Sequence, residues 1–552
     1  PRLYTAESRL CADGVQTDAY STRFGVRKLE IIPDQGMFLN GEPVKFRGVC
    51  LHHDLGPLGA AVNRSALRRQ LSIMKEMGAN AVRTAHNMPA PELVELCDEM
   101  GLMVMVETFD EWRAPKMRNG YHLYFDEWAE RDLVNVVRHF RNNASVVMWC
   151  IGNEVPDQSS YDGAKIARRL QDICHREDPM RPVTMGMDRV LDAIDTHFAA
   201  VMDVAGFNYR THFYRKAYDE LPQQIVMGSE TASTFSSRGT YHFPVERTVN
   251  KVREDNQSSG YDLDCGSWSN LPEDDFVQHD DYDWCIGEFV WTGFDYLGEP
   301  TPYHEIWPNH SSLFGIVDLA GLPKDRYYLY RSHWRPDTET LHILPHWTWP
   351  GREGEVTPVF VYTNYPSAEL FVNGRSQGRI AKDTTATAAS TENEQAAREL
   401  RRQRRYRLMW MDVRYEPGTL RVVAYDKDGN PAAEREVHTA GKPYRIELSA
   451  DRTTLAADGK DLSFITVKVV DKAGNLCPEA SQEVSFRVKG AGSYRAAANG
   501  DPTNLEQFHL PQMHLFKGQL VAVVQSAETP GEIVFEASAG GVKGARLRLV
   551  SE

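Results

Sequence analysis

The chain has 552 residues, of which 41% are hydrophobic and 25% charged, and 62 Lys and Arg stand against 77 Asp and Glu for a formal charge of −15. That length exceeds what one hydrophobic core organises, so about three or four domains are expected. No apolar run approaches the roughly 18 to 20 residues of a membrane span, and the negative balance disfavours nucleic acid and anionic membranes as partners.

In chain order, residues 3–26 read as strands without partners, and with no initiator Met or signal peptide the expectation is that residues 1–32 end an immunoglobulin-like β-sandwich begun upstream. From 44 to about 334 short apolar strands alternate with amphipathic helices, the pattern of βαβ units around a parallel sheet. Strands are expected at 44–51, 80–84, 102–108, 146–154, 182–187, 204–209, 225–230 and 284–292, which is the strand count of a (β/α)8 TIM barrel spanning 33–335. The helix at 65–77 carries Leu67, Leu71, Met74 and Met77 on one face, with Ser65 as N-cap and Gly78 as C-cap. Helices at 91–100 and 126–140 follow the same pattern. After Trp334 strands alternate with turn signals such as Asn373-Gly374 and Asp428-Gly429-Asn430. Two immunoglobulin-like β-sandwiches are expected, at 336–441 and 442–552. The first is interrupted at 384–405 by small residues and a charged helical run, 392–407, whose six arginines read as a solvated insert in so acidic a chain. The eight cysteines form no CxxC pair and read as buried free thiols rather than disulfides or zinc ligands.

Two glutamates stand out. Residues 146–151 lead into Gly152-Asn153-Glu154, and residues 225–228 lead into Ser229-Glu230-Thr231. Carboxyl ends of barrel strands converge on one face, so acids from separate strands can flank one scissile glycosidic bond, about 5 to 5.5 Å apart in a retaining enzyme. A single strand-end Glu is as often structural as catalytic. Asn153 beside Glu154 adds an amide suited to a sugar 2-hydroxyl, and a neutral glycan suits the charge of the chain.

Four segments in order, Val82-Arg83-Thr84-Ala85-His86-Asn87, Trp149 through Glu154, Gly228-Ser229-Glu230, and Gly287-Glu288-Phe289-Val290-Trp291-Thr292-Gly293-Phe294-Asp295-Tyr296, resemble glycoside hydrolase family 2, in particular its bacterial β-galactosidases. The likeness runs from Phe24 nearly to the end. It implies a retaining exo-β-galactosidase with Glu154 as acid/base and Glu230 as nucleophile, Arg83 orienting Glu230 and keeping it anionic, and Tyr209 hydrogen-bonding it. Asn153, His52, His53, His86 and Trp291 would complete the sugar subsite, Trp291 as a platform for the apolar face of the ring. Trp112 and Trp268 read equally as extensions of that platform or as core.

Glu107, Asp110 and Glu111 are candidates to join Glu154 in the Mg²⁺ site of some relatives. The His partner is absent from Glu107-Thr108-Phe109, so no obligatory metal or other cofactor is expected. The family's β-glucuronidases carry Asn-x-Lys before Gly-Ile, where this chain has Ser312-Leu313-Phe314 before Gly315-Ile316. That departure favours a neutral hexoside. Alternatives are a β-mannosidase, a β-glucuronidase or a non-catalytic carbohydrate-binding protein. The expected partner is an oligosaccharide or glycoside, not nucleic acid or membrane, with a homo-oligomer left open. The compartment is unspecified between bacterial periplasm and cytoplasm.

Overall fold

The computed structural model describes residues 2–389 and 395–552. Eight parallel strands, Phe46–Leu51, Ala81–Thr84, Met103–Glu107, Val146–Asn153, Val183–Met187, Ala205–Asn208, Val226–Thr231 and Cys285–Val290, follow one another around a closed barrel, and the eighth pairs with the first through Gly287 and Phe46. They begin as apolar runs because parallel strands are covered on both faces, and several end in buried polar residues; in the fourth, every residue is buried. Ladder irregularities fall at Thr184/Gly186 and Phe207/Asn208, close to the carboxyl ends of the fifth and sixth strands. Such offsets re-aim side chains beside a site.

The chain divides into two compact units. One comprises the segment ending at His53, Ala79–Ala232 and Trp268–Trp291; the other comprises Asp54–Gly78, Ser233–Ser267 and Thr292–Glu552. The first holds the eight barrel strands. Ahead of them Tyr4–Ala12 and Val15–Phe24 form an antiparallel hairpin, nearly all of it exposed. Helices Pro91–Met100 and Phe125–Phe140 lie where the periodicity put them.

In the second unit the helix Arg64–Met77 buries Leu67, Leu71, Met74 and Met77, but its cap is Asn63, not Ser65. The Asn63 side chain accepts from the Ala66 amide at 3.0 Å. The helix starts one residue earlier than expected, so the Ser65 hydroxyl is left to donate to Asp461 at 2.5 Å. Gly78 closes the helix in the left-handed region, φ 111°.

The first sandwich sets Leu341–Leu344, Val359–Thr363 and Leu408–Trp410 against a four-stranded sheet whose central strands are Ser367–Val372 and Thr419–Tyr425. Trp347, Val361, Leu370 and Val422 fill the core between them. The second packs a four-stranded sheet on a five-stranded one around Ile465, Val467, Phe535 and Val524. In the insert, the helix Gln395–Tyr406 turns Arg402 and Arg405 onto the carbonyls of Ala388 and Ala386. The beginning of the expected helical run, 392–394, lies outside the described residues. All eight cysteines are free, and all but Cys11 are buried. Among the described residues no helix is long and apolar enough to cross a membrane.

Candidate active site

At the carboxyl ends of the barrel strands one guanidinium organises the acids. Arg83, from the second strand and fully buried, donates through Nε to Glu107 Oε2 at 2.7 Å, through Nη1 to Glu230 Oε2 at 2.8 Å, and through Nη2 to Asn153 Oδ1 at 2.8 Å. A planar fork of five donors suits this arrangement, since it reaches three acceptors in fixed directions. Burial works against its charge, but the carboxylates of Glu107 and Glu230 outweigh burial and hold the Arg83 pKa well above the ordinary value. Glu230 is gripped on its other oxygen by the Tyr209 hydroxyl, which donates to Oε1 at 2.7 Å.

Glu154 has a different environment. Its Oε1 accepts from Asn208 Nδ2 at 3.0 Å, and that same amide donates to Asn153 Oδ1 at 2.9 Å. The two acids thus hang on one network through Asn153. No guanidinium or hydroxyl of that network reaches Glu154. Burial, then the nearby charge of Glu230, then that of Asp188, push the Glu154 carboxyl up to about 7. Its backbone sits at φ 44°, in a region that costs a non-glycine residue about 1 kcal/mol. Its amide donates to the Gly186 carbonyl at 2.7 Å, which holds it in register with the fifth strand. Tyr209 is also left-handed, at φ 59°, with its amide on the Glu230 carbonyl at 2.7 Å.

The histidines divide. His86 Nδ1 lies 2.8 Å from Glu107 Oε1, and its ring stacks on Trp291 with centroids 5.1 Å apart and planes 5° from parallel. Burial disfavours its charge, but Glu107 overrides burial and raises the His86 pKa. His52 meets Trp291 and His86 edge-on, at 5.2 and 5.8 Å. Burial, then the neighbouring His86, lower its pKa to about 4, so it is a neutral ring near pH 7. His53 is solvent-exposed, in contrast to these. Trp291 is only 4% exposed and presents one face to His86.

Trp112 is core and not part of a platform. It is fully buried, donates through Nε1 to the Ile151 carbonyl at 2.8 Å, and packs on Phe125 and Phe198. Trp268 is half-buried and its carbonyl accepts from Arg210.

The carboxylates considered for Mg²⁺ are directed to separate donors. Glu107 is enclosed by Arg83 and His86. Asp110 accepts from Lys116 Nζ at 2.8 Å and from Asn153 Nδ2 at 3.1 Å. Glu111 accepts the backbone amides of Lys116, Met117 and His122, and although burial opposes them these bonds lower its pKa to about 2. A donor set already spent on internal cations and amides does not fit a divalent ion.

Three participants escape a reading of the sequence. Asn208 bridges Asn153 and Glu154, and Ser229 Oγ donates to Asn208 Oδ1 at 2.8 Å. A Cβ on Gly186 would lie 2.8 Å from Asn208 Oδ1 and 3.0 Å from both Arg83 Nη2 and Asn153 Oδ1, so the network needs a glycine there. Asn208 is signalled by its place at the end of the sixth strand; Gly186 has no signal until its neighbours are known.

The family 2 glycosyl hydrolase TIM barrel domain matches residues 31–244, and the glycoside hydrolase family 2 C-terminal domain 5 matches 446–548. A domain of unknown function matches 354–433. A beta-galactosidase of Bacteroides ovatus is 39% identical over 100% of this chain and 66% of its own length. A putative beta-glucuronidase of Formosa agariphila is 30% identical over 91% of this chain and 48% of its own. The chain therefore spans about half to two thirds of the length of these curated relatives. A solved family 2 glycosyl hydrolase of Bacteroides cellulosilyticus superposes with a TM-score of 0.84 at 30% identity, covering 100% of this chain and 68% of that one. With strand-end glutamates on the matched barrel and a family 2 domain at the carboxyl end, the chain belongs to glycoside hydrolase family 2.

Proposed function

We propose that the chain carries the catalytic part of a retaining exo-β-galactosidase acting on terminal β-galactosides, with Glu230 as nucleophile and Glu154 as acid/base. The observation that carries this reading is the asymmetry of two carboxyls on one network: donors from Arg83 and Tyr209 on Glu230, against a Glu154 pushed up to about 7. A carboxyl pushed up to about 7 beside a second carboxyl held by a guanidinium and a phenol suits the two roles that glycoside hydrolysis requires.

In the first step a Glu230 oxygen attacks the anomeric carbon. The glycosidic C–O bond breaks, and the Glu154 carboxyl gives its proton to the leaving oxygen. In the second, ionised Glu154 takes a proton from water, the water oxygen attacks the anomeric carbon, and the ester bond to Glu230 breaks. Asn153, its Oδ1 fixed by Arg83 and Asn208 and its Nδ2 donating to Asp110 at 3.1 Å, would turn Nδ2 from Asp110 to the sugar 2-hydroxyl when substrate binds.

The galactoside assignment is supported by the name of the Bacteroides ovatus relative and by the 312–314 segment. Phe314 is fully buried with its ring 5.3 Å from Phe235. Lys324, which donates to the Leu313 carbonyl, is spent on Asp295 at 2.7 Å. An unpaired substrate carboxylate would cost several kcal/mol. The name of the Formosa agariphila relative favours a second reading, a β-glucuronidase. Hydrolysis of nitrophenyl β-galactoside, β-glucuronide and β-mannoside separates them. The galactoside should lead in kcat/KM by at least about a hundredfold, equivalent to about 2.7 kcal/mol; comparable values for galactoside and glucuronide would overturn the neutral-sugar assignment.

A further inference from the structure

The unit that holds both sandwiches contains a cavity of about 630 Å³, within the size range of ligand sites. Its walls come from Tyr241 and Tyr328, from the first sandwich through His342 and His346, and from the second sandwich through Lys468 and Lys517. The acids and the cations of this wall are in different states. Asp325 accepts from His342 Nε2 and from Tyr241 Oη, each at 2.6 Å. Glu436 lies 3.5 Å from His438, and Arg238 is paired with Asp318 at 2.6 Å. By contrast, Arg435, Lys468 and Lys517 have no carboxylate within 4 Å among the described residues. Three unpaired cations around one cavity leave it receptive to an anion.

The apolar part of the wall is aromatic. Tyr328 and His342 stack with centroids 3.9 Å apart and planes 9° from parallel, and His346 meets Tyr241 edge-on at 5.5 Å. Burial, then the charge of Lys517, lower the His346 pKa to about 3, so this ring is neutral. Flat rings beside cations suit a ligand with an apolar C–H face and an acidic substituent.

We propose that this cavity is a non-catalytic binding site for an acidic saccharide unit, a uronate or a sulfated sugar. The site draws on no residue of the Glu154–Glu230 network and does not depend on the galactosidase reading. The volume admits one or two sugar units, the aromatic rings take the C–H faces, and Arg435, Lys468 and Lys517 take the anionic group.

Calorimetric titration of the whole chain carrying Glu230→Gln, which prevents turnover, tests this with digalacturonate, galactose 6-sulfate, maltose and sodium sulfate at low salt. At least one acidic sugar should bind at least about tenfold more tightly than maltose and than sodium sulfate. Lys468→Ala and Lys517→Ala, combined, should weaken it at least about tenfold, and binding should fall as NaCl rises. An unchanged melting temperature shows that the double variant is folded. Should that variant fail to fold, Lys468→Gln alone replaces it, with an expected loss of about threefold or more. The proposal is overturned by the absence of heat from both acidic sugars at millimolar concentration, by equal binding of maltose, by equal binding of free sulfate, or by acidic-sugar binding indifferent to the lysine substitutions.

Discussion

Replacing Glu230 by Gln removes one charge from the vicinity of Glu154 and should lower the pH at which Glu154 titrates. Glu154 stands at about 7 against an ordinary 4.5, with burial the larger cause and the Glu230 charge the next. That rise is worth about 3 kcal/mol at 1.36 kcal/mol per pH unit. Coulomb repulsion between the two carboxylates at roughly 5.5 Å and an effective dielectric near 20 would by itself supply about 3 kcal/mol. Because burial is the larger cause, the Glu230 charge must be partly screened, and about one pH unit is its share. In the proposed mechanism the same neutralisation accompanies the glycosyl ester on Glu230, so the substitution mimics the state in which Glu154 would act as a base. The assay is a 13C-NMR titration of the Glu δ-carbons, with Glu154→Gln identifying the signal. A midpoint near 7 should fall to about 6 in Glu230→Gln. A midpoint that stays within about 0.3 unit, or rises, refutes the charge coupling on which the division of roles rests. In the unsubstituted chain, kcat/KM for lactose, whose leaving alcohol needs the proton, should fall as pH rises through about 7.

Glu230→Gln should abolish turnover, whereas Glu154→Ala should be partly rescued by azide, which attacks the glycosyl ester without a general base; equal rescue of both variants would reverse the assignment. Gly186→Ala should cut kcat by at least about tenfold with little change in secondary structure, because its Cβ would press on Asn208, Arg83 and Asn153; wild-type kcat would show that the network can shift to accommodate it. Glu154 also carries a stability cost. Its folded pKa is raised above the unfolded one, so the folded state is fully favoured below about pH 4.5 and loses up to about 3 kcal/mol as pH rises through about 7. Glu154→Gln should therefore raise the melting temperature at pH 8 and leave it unchanged at pH 4.5, and the reverse pattern in thermal denaturation would contradict the burial argument.

The barrel was readable because its strands are covered on both faces, which turns each into an apolar run ending in polar residues. Glu154, Glu230, Arg83 and Tyr209 all fall at such ends, and their contacts join them in one network. What lay beyond the sequence was occupancy rather than position. Trp112 follows the third strand just as a platform residue would, yet its ring points inward to the Ile151 carbonyl. Glu107, Asp110 and Glu111 are spaced like metal ligands, but whether a carboxylate is available depends on donors remote in sequence, Arg83 24 residues before Glu107 and Lys116 six residues after Asp110. Asn63 and Ser65 are both good caps, and only the helix start chooses between them.

The shared cation explains why the site needs more than its two acids. Arg83 serves Glu107, Glu230 and Asn153 at once, and its burial leaves it no water to substitute for any of them. Glu107 in turn holds His86, and His86 stacks on Trp291, so Glu230, the Asn153 amide and the aromatic wall are tied to one ion pair. Breaking such a buried pair from one side typically costs about 3 to 5 kcal/mol because the partner charge is stranded. Glu154, whose carboxyl accepts from the Asn208 amide, keeps a high proton affinity through burial and the charge of the nearby Glu230. If Glu154 were drawn to a cation as Glu230 is, the two carboxyls would lose the difference in surroundings on which the proposed division into proton donor and nucleophile rests.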